Sequence, residues 1–311
     1  MSKILMSVTI DTECDKSLDW SNSNPMSFSS IIHGIPSILQ PMFKKFSIRP
    51  TYFLSPEVID NNECVDVLNN IADECELGTH LHADYINPER TFINFDGKET
   101  HAFQTDFSNE IEFQKLQNLT QNFANAFNFS PKVFRAGRYA ANSNTIRSLS
   151  ELGYKVDSSF TPHLKWESPI GSLIDHQDSP EQPYFCHHSN IYKEGSSSLL
   201  EIPVTIIRGT RFFIMEKHLW LRPKFSSLKE IKKIIKYMKS TYAENEFIVL
   251  NMMFHSQEII PNASPYTKTE EEVVSYISFL ETVFEIAKEE NIDFLTLEEI
   301  YEAFRASTSR P

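Results

Sequence analysis

The chain has 311 residues and a mass of 36.0 kDa, enough to form one large domain or two modest ones around an apolar core. It carries 29 Lys and Arg against 42 Asp and Glu, a formal net charge of −13. This excludes a general attraction to phosphate backbones or anionic lipids, so we expect no nucleic-acid partner. No apolar run approaches the roughly 18 residues that span a bilayer, so we expect no stable membrane insertion.

The N-terminal segment predicts a first strand rather than a leader peptide, because its apolar run is short and ends in an acid, Asp11. The cysteines form no CxxC pair, as is typical of free thiols in a reducing compartment. We therefore expect a cytoplasmic protein. The sequence favours no particular oligomeric state.

Short apolar runs then alternate with amphipathic stretches, the pattern of βα units around a largely parallel sheet. The clearest helix covers 269–290, where apolar residues recur at three- and four-residue steps. Strands are predicted near 4–11, 50–54, 77–82, 132–137, 154–158, 199–207, 247–254 and 292–296, and further helices near 31–46, 62–75, 109–127, 142–152 and 227–242. The class is therefore α/β, and the element count favours a distorted (β/α)7–8 barrel.

We predict a single domain over residues 1–305 and a tail over 306–311. Two regions break the alternation, at 84–108 and 161–198. Long irregular loops in compact domains are often functional, so these insertions are candidates for the walls of a substrate cleft. Solvated insertions that touch no ligand are the alternative.

Acidic residues follow the first predicted strand at alternate positions: Asp11, Glu13 and Asp15. An extended chain would send all three side chains to one side. The C-terminal ends of barrel strands are where such folds build active sites, and carboxylate oxygens there suit a divalent metal. Solvated turn residues are the alternative.

Histidines follow the third predicted strand, where His80, His82 and Asp84 share one face if the chain is extended. Imidazole and carboxylate that converge on one point favour a borderline metal, with zinc first and cobalt or iron as alternatives. Two further strand ends carry Arg135 with Arg138, and His255. Acid, histidine, arginine and histidine thus follow four separate strands, as a site assembled from several βα loops requires.

In order and context these four segments resemble the motifs of the polysaccharide deacetylases, the NodB-homology family, over residues 9 to about 256. The resemblance implies a distorted barrel with one divalent metal that hydrolyses an N-acyl group. Asp11 resembles the general base and His255 the general acid. Arg135 resembles the arginine that orients the base, and the backbone N–H near Tyr139 would help to hold the oxyanion.

The resemblance also implies the metal ligands Glu13 and His80, with a third from His82 or Asp84. The chain departs from the usual family pattern in having Asp11-Thr12-Glu13 in place of consecutive aspartates, and Ala136-Gly137 in place of prolines after Arg135. The residues of the motifs around Asp11 and His80 are similar to those of a branch of this family that is linked to bacterial surface-polysaccharide synthesis.

The sequence therefore predicts a metal-dependent hydrolase that removes an acetyl or formyl group from an amino sugar or a sugar intermediate of polysaccharide biosynthesis. Its substrate would be a small-molecule or oligosaccharide amide. Two alternatives stay open: an amide hydrolase of the allantoinase kind that acts on a small substrate, and a non-catalytic carbohydrate-binding protein. Phe212-Phe213 and Trp220 could stack on a sugar or belong to the core.

Overall fold

A computed structural model describes residues 2–90, 102–187, 189–211 and 215–308. The α/β class predicted from the sequence is confirmed. The strands are β1 (Lys3–Thr12), β2 (Thr51–Leu54), β3 (Glu76–Leu81), β4 (Val133–Ala136), β5 (Val156–Asp157), β6 (Lys165–Glu167), β7 (Leu173–Asp175), β8 (Tyr184–Phe185), β9 (Leu200–Glu201), β10 (Ile206–Arg211), β11 (Met215–Trp220), β12 (Phe247–His255) and β13 (Asp293–Phe294).

Nine of these strands form the main sheet, in the order β12-β1-β2-β3-β4-β5-β9-β8 with β13 paired to β1. The pairings of β1 with β12, β3 with β4, β4 with β5, and β5 with β9 are all parallel. Parallel strands carry their C-terminal ends to the same edge of a sheet. Both β1 and β4 are fully buried apart from Lys3, as expected of parallel strands covered on both faces.

The helices between the strands begin at recognisable caps. Ser108 accepts a hydrogen bond from the N–H of Ile111, and Ser227 forms a capping box with Glu230. The α-helices are α1 (Gln40–Phe46), α2 (Pro56–Ile59), α3 (Asn62–Asn70), α4 (Asn109–Phe127), α5 (Ser143–Glu151), α6 (Leu228–Thr241), α7 (Glu270–Glu289) and α8 (Leu297–Thr308), and a π-helix covers Ser30–Leu39. Among the described residues, no helix is long and apolar enough to cross a membrane.

The chain divides into two compact units. The first comprises residues 1–52, 66–76 and 204–296, and its core includes Phe43 and Phe46, whose rings both contact that of Phe284. The second comprises residues 53–65, 77–203 and 297–311, and α4 packs Phe123 and Phe127 into its interior. The prediction of one domain over 1–305 stays a prediction.

Three predicted elements differ from the structure. The predicted strand 199–207 is divided, because Pro203 interrupts the chain between β9 and the β10–β11 hairpin, and proline has no N–H to donate. Helix α8 continues to Thr308, past the predicted start of the tail 306–311, which itself stays a prediction. The 161–198 insertion contains β6, β7 and β8. Residues 91–101 of the other insertion lie outside the described part of the chain, as do Phe212 and Phe213.

Candidate active site and metal centre

Asp11 and His255 are direct neighbours in the parallel pairing of β1 with β12. Nε2 of His255 lies 4.0 Å from Oδ2 of Asp11 and 3.9 Å from Oε1 of Glu13. Both carboxylates are buried, and the imidazole is only slightly exposed. Asp11, Glu13 and His255 thus meet at the C-terminal ends of two adjacent strands, and their roles as base, ligand and acid stay predictions.

Glu258 orients His255 and was not predicted from the sequence. A 3-10 helix at Ser256–Ile259 turns the chain so that Nδ1 of His255 donates to Oε1 of Glu258 over 2.8 Å, and the backbone N–H of His255 donates to the same oxygen over 3.1 Å. This bond fixes the imidazole with Nε2 directed at the two acids. The sequence did contain a signal for this contact, because Glu258 follows His255 at an i,i+3 spacing.

Glu258 remains ionised although it is fully buried. Burial alone would raise the pKa of its carboxyl, but the Arg222 guanidinium, 3.0 Å away, and the bond from His255 lower the pKa below its usual value. The Tyr276 hydroxyl donates a further hydrogen bond over 2.7 Å. An ionised Glu258 can therefore accept the N–H of the His255 imidazole and hold its Nε2 toward the two acids.

Lys16 is a second residue that the sequence analysis missed. Its buried Nζ lies 3.3 Å from Oε2 of Glu13 and donates to Oδ1 of Asn22 over 2.7 Å. Glu13 thus presents one oxygen to a cation and the other to His255. Asp15, by contrast, is structural, because it accepts the backbone N–H groups of Ser29 and Ser30 at the start of the π-helix.

His80 and His82 point their imidazoles at each other. Their Nε2 atoms are 3.2 Å apart, and both residues are buried. Nδ1 of His80 lies 3.0 Å from the backbone carbonyl of Arg135, its register partner on β4. That bond requires the proton on Nδ1 and leaves the Nε2 lone pair of His80 available for a metal.

Glu13, His80 and His82 form a group that could hold a metal ion: each offers one ligand atom, and these atoms lie within 4.8 Å of one another. The two imidazole nitrogens fit one ion, because ligands at about 2.0–2.1 Å in a tetrahedral zinc site are separated by roughly 3.3 Å. A carboxylate with two imidazoles is also an established zinc donor set. Asp84 is outside this group, and its Oδ1 lies 3.8 Å from Nη1 of Arg138.

Arg135 is fully buried at the end of β4. Its guanidinium donates to the carbonyl and to the hydroxyl of Ser158, both over 2.9 Å, and its Cζ lies 4.5 Å from the centre of the Phe53 ring. These contacts fix the side chain in one orientation. The predicted role of Arg135 in orienting Asp11 stays a prediction.

Two carboxyls that sequence reasoning did not consider lie near Arg135. Asp157 and Glu201 are register partners on β5 and β9, and both are fully buried. Burial raises the pKa of Asp157 to about 6 and raises that of Glu201 well above its usual value, while Arg135 partly opposes both shifts. The pair therefore holds a shared proton near neutral pH.

The turn after Arg135 has a strained backbone. Arg138 and Tyr139 both have positive φ values, of 53° and 59°. Gly137 lies so close to β3 that an added Cβ would be 2.5 Å from the carbonyl oxygen of Leu81. Only glycine fits there without displacing the strand that leads to His82. The predicted role of the backbone N–H near Tyr139 stays a prediction.

The structural comparisons show that the chain has the fold of the polysaccharide deacetylases. One match is a provisionally assigned polysaccharide deacetylase from Mycobacterium smegmatis, with a TM-score of 0.58 and 15% identity over 100% of this chain and 93% of that one. A protein from Pseudomonas aeruginosa PAO1 that is also provisionally assigned as a polysaccharide deacetylase matches with a TM-score of 0.54 and 12% identity. That match covers 100% of this chain and 93% of the other. No family model and no curated protein sequence matches the chain.

The same fold occurs in a Puue allantoinase, which matches with a TM-score of 0.56 and 14% identity over 100% of this chain and 93% of that one. A 4-alpha-glucanotransferase from Thermococcus litoralis also matches with a TM-score of 0.56 and 12% identity, covering 97% of this chain and 40% of that one. Because the fold serves such different proteins, the function must be argued from the residues of the site.

Proposed function

We propose that the protein is a metal-dependent hydrolase that removes an acetyl or formyl group from the nitrogen of an amino sugar. The observation that carries this proposal is the combination of a Glu13, His80 and His82 group with His255, whose Nε2 faces Asp11 and whose Nδ1 is held by Glu258. Amide hydrolysis needs a base, an electrophile and an acid, and this set provides all three.

Each side chain has a definite task in this reaction. The Asp11 carboxylate accepts a proton from the attacking water, whose oxygen forms the new bond to the acyl carbon. Nε2 of His255 donates a proton to the amide nitrogen as the carbon–nitrogen bond breaks, so the products are a carboxylic acid and an amine. Glu258 holds the imidazole for this transfer. A divalent metal held by Glu13, His80 and His82 would supply Lewis acidity toward the carbonyl.

Zinc is the proposed metal, because two imidazoles and a carboxylate match its catalytic donor sets, with cobalt and iron as alternatives. We further propose that the substrate is an intermediate of polysaccharide biosynthesis in the cytoplasm. The similarity of the Asp11 and His80 motifs to a surface-polysaccharide branch supports this placement. The four free, buried cysteines are consistent with a reducing compartment.

The test measures acetate and formate released from a panel of N-acetyl and N-formyl amino sugars, alongside the metal content of the purified protein. We expect turnover that chelation abolishes and zinc restores. We also expect that His255→Ala lowers kcat by about 10²–10⁴-fold, as the loss of a general acid does. Glu271→Gln is the matched control, because Glu271 is exposed on α7.

Two results would replace this proposal. Turnover of allantoin by protein stripped of metal, without activity on amino sugars, would favour the hydrolase of small amides, whose fold the chain shares. Saturable sugar binding that Asp11→Asn and His255→Ala leave unchanged, without any turnover, would favour a non-catalytic carbohydrate-binding protein.

A further inference from the structure

Lys16 is a buried cation beside the proposed metal ligand Glu13. Its side chain is 8% exposed, and its Nζ lies 3.3 Å from Oε2 of Glu13, whose side chain is 6% exposed. A lysine is rarely buried to this degree unless its charge is paired. The other carboxylate oxygen, Oε1, lies 3.9 Å from Nε2 of His255. The two oxygens of Glu13 are therefore in different surroundings.

The side chain of Lys16 is also held by contacts that do not involve Glu13. Its Nζ donates to Oδ1 of Asn22 over 2.7 Å and to Sγ of Cys14 over 3.4 Å. The backbones of Lys16 and Asn22 pair as an antiparallel bridge, and the N–H of Lys16 donates to the carbonyl of Ala263 over 2.9 Å. The turn that carries the ammonium thus fixes it beside Oε2, and its position does not depend on Glu13 alone.

The number of oxygens that Glu13 can give to a metal ion decides how many protein ligands that ion has. Glu13, His80 and His82 each offer one ligand atom, which gives three ligands. Three protein ligands leave one position of a tetrahedral site open, as in catalytic zinc sites. A carboxylate that binds through both oxygens adds a fourth protein donor, which suits ions with six or more ligands, such as manganese and calcium.

An ammonium beside Oε2 opposes binding through both oxygens, because the metal would have to displace Lys16 and leave a buried cation without its carboxylate. The charge of Lys16 also repels a metal ion, but this repulsion depends on charge and distance and is the same for all divalent ions. The effect of Lys16 that differs between metals is therefore its effect on the coordination number.

We propose that Lys16 is a positioning residue that confines Glu13 to ligation through Oε1, and that it thereby makes the site selective for four-coordinate zinc over six-coordinate manganese. This inference rests on the proposed function for the metal site, but not for the substrate or the reaction. It assigns a task to a buried lysine that the proposed reaction does not use.

The test compares the zinc and manganese affinities of metal-free protein by calorimetric titration, because the ratio of the two affinities cancels the charge repulsion. Lys16→Met should lower the zinc-to-manganese affinity ratio about tenfold, the lower end of the effect of replacing a residue that holds a metal ligand. Asn22→Ala retains the ammonium but removes its anchor, so it should lower the ratio by less. Lys3→Met, which removes an exposed lysine of the same unit, should leave the ratio unchanged.

Cobalt gives a second measure of the coordination number, because the visible absorption bands of Co²⁺ are more intense in a tetrahedral site than in a five- or six-coordinate one. We expect intense bands for the wild-type protein and for Lys3→Met. Lys16→Met should give weaker bands, since Glu13 can then bind through both oxygens.

Metal selectivity and turnover separate this inference from the proposed function. A zinc preference that Lys16→Met reduces, in a protein that releases neither acetate nor formate, would retain the role of Lys16 and contradict the proposed reaction. An affinity ratio that stays at the wild-type value in folded Lys16→Met would overturn the role of Lys16, whether or not the protein hydrolyses amino sugars. If Lys16→Met does not fold, an unchanged ratio in Asn22→Ala would overturn it.

Discussion

Glu258 and the pair of Asp157 with Glu201 are fully buried carboxyls that differ in how their charge is balanced. Glu258 meets the Arg222 guanidinium, the His255 imidazole and the Tyr276 hydroxyl, and its pKa is lowered although burial acts to raise it. Asp157 accepts a hydrogen bond from the Ser159 hydroxyl and Glu201 one from the N–H of Phe160, and burial raises the pKa of both although Arg135 opposes the rise. Burial therefore does not decide whether a carboxyl is ionised, because the groups around it do.

The difference matches what each group can do. An ionised Glu258 accepts the N–H of the His255 imidazole and holds it in place, whereas the Asp157 and Glu201 pair carries a proton that reduces its charge near Arg135. Asp15 shows a third arrangement, in which backbone N–H groups at the start of a helix donate hydrogen bonds to the carboxylate. Substitutions at these carboxyls and their partners test whether the surrounding groups set the ionisation of each carboxyl.

Arg222→Met should have the largest effect on stability. Arg222 is buried, and its removal leaves Glu258 without its cation, so we expect a loss of about 3–5 kcal/mol in the free energy of unfolding. Denaturant unfolding measures this loss of stability. Lys239→Met, which breaks the exposed pair with Glu290, should cost less than about 1 kcal/mol. Equal costs for the two variants would contradict the claim that Arg222 balances a buried charge.

Glu258→Gln should lower kcat by about 10²-fold, because the neutral amide holds Nδ1 of His255 less strongly than the carboxylate does and leaves Nε2 less well placed for proton transfer. Steady-state kinetics on an N-acetyl amino sugar measures this loss. A folded Glu258→Gln variant with the kcat of the wild-type protein would show instead that Glu258 acts only in packing.

Asp157→Asn should stabilise the protein at high pH. The wild-type pKa rises from 3.8 to about 6 on folding, so the folded state binds more protons in that window. Wild-type stability from this group is therefore full below about pH 4 and is lost as the pH rises through about 6, a loss of about 2–3 kcal/mol. The variant should be more stable than wild type at pH 8, with the gap closing toward pH 4.

Asp175→Asn is the matched control for this pH dependence, because Asp175 is largely exposed and the bond from Lys165 lowers its pKa. Its replacement should have a small effect of the opposite sign. If the wild-type protein became more stable relative to Asp157→Asn as the pH rises from 4 to 6, the result would contradict the shared-proton interpretation.

Asp15→Ala should have the smallest effect of the series, a loss of about 1 kcal/mol, because it removes the acceptor for the first N–H groups of the π-helix. Asp15→Asn retains an acceptor oxygen and should cost less. Denaturant unfolding compares the two. An unchanged stability in Asp15→Ala would show that water satisfies those donors equally well.

The sequence was sufficient to predict the residues that follow directly on apolar strands. Asp11, His80, Arg135 and His255 each end such a run, and the structure places each at the end of its strand. The β1 to β12 pairing was not visible in the sequence, so the approach of Asp11 to His255 rested on the family resemblance.

Long-range partners could not be predicted in the same way. Arg222 lies 36 residues before Glu258, and Asp157 lies 44 residues before Glu201, and a single sequence does not show which residues so far apart are in contact. Glu258 is the exception, because its spacing from His255 was visible and was not used.

Zinc binding is the most direct test of the central claim, that Glu13, His80 and His82 hold one divalent metal. Calorimetric titration of metal-free protein should give one zinc ion per chain. Glu13→Gln and His82→Asn should each weaken binding strongly, whereas Asp84→Asn should leave it unchanged, because Asp84 lies outside the ligand group. Absence of zinc binding by the wild-type protein, or equal affinity in all the variants, would contradict the claim.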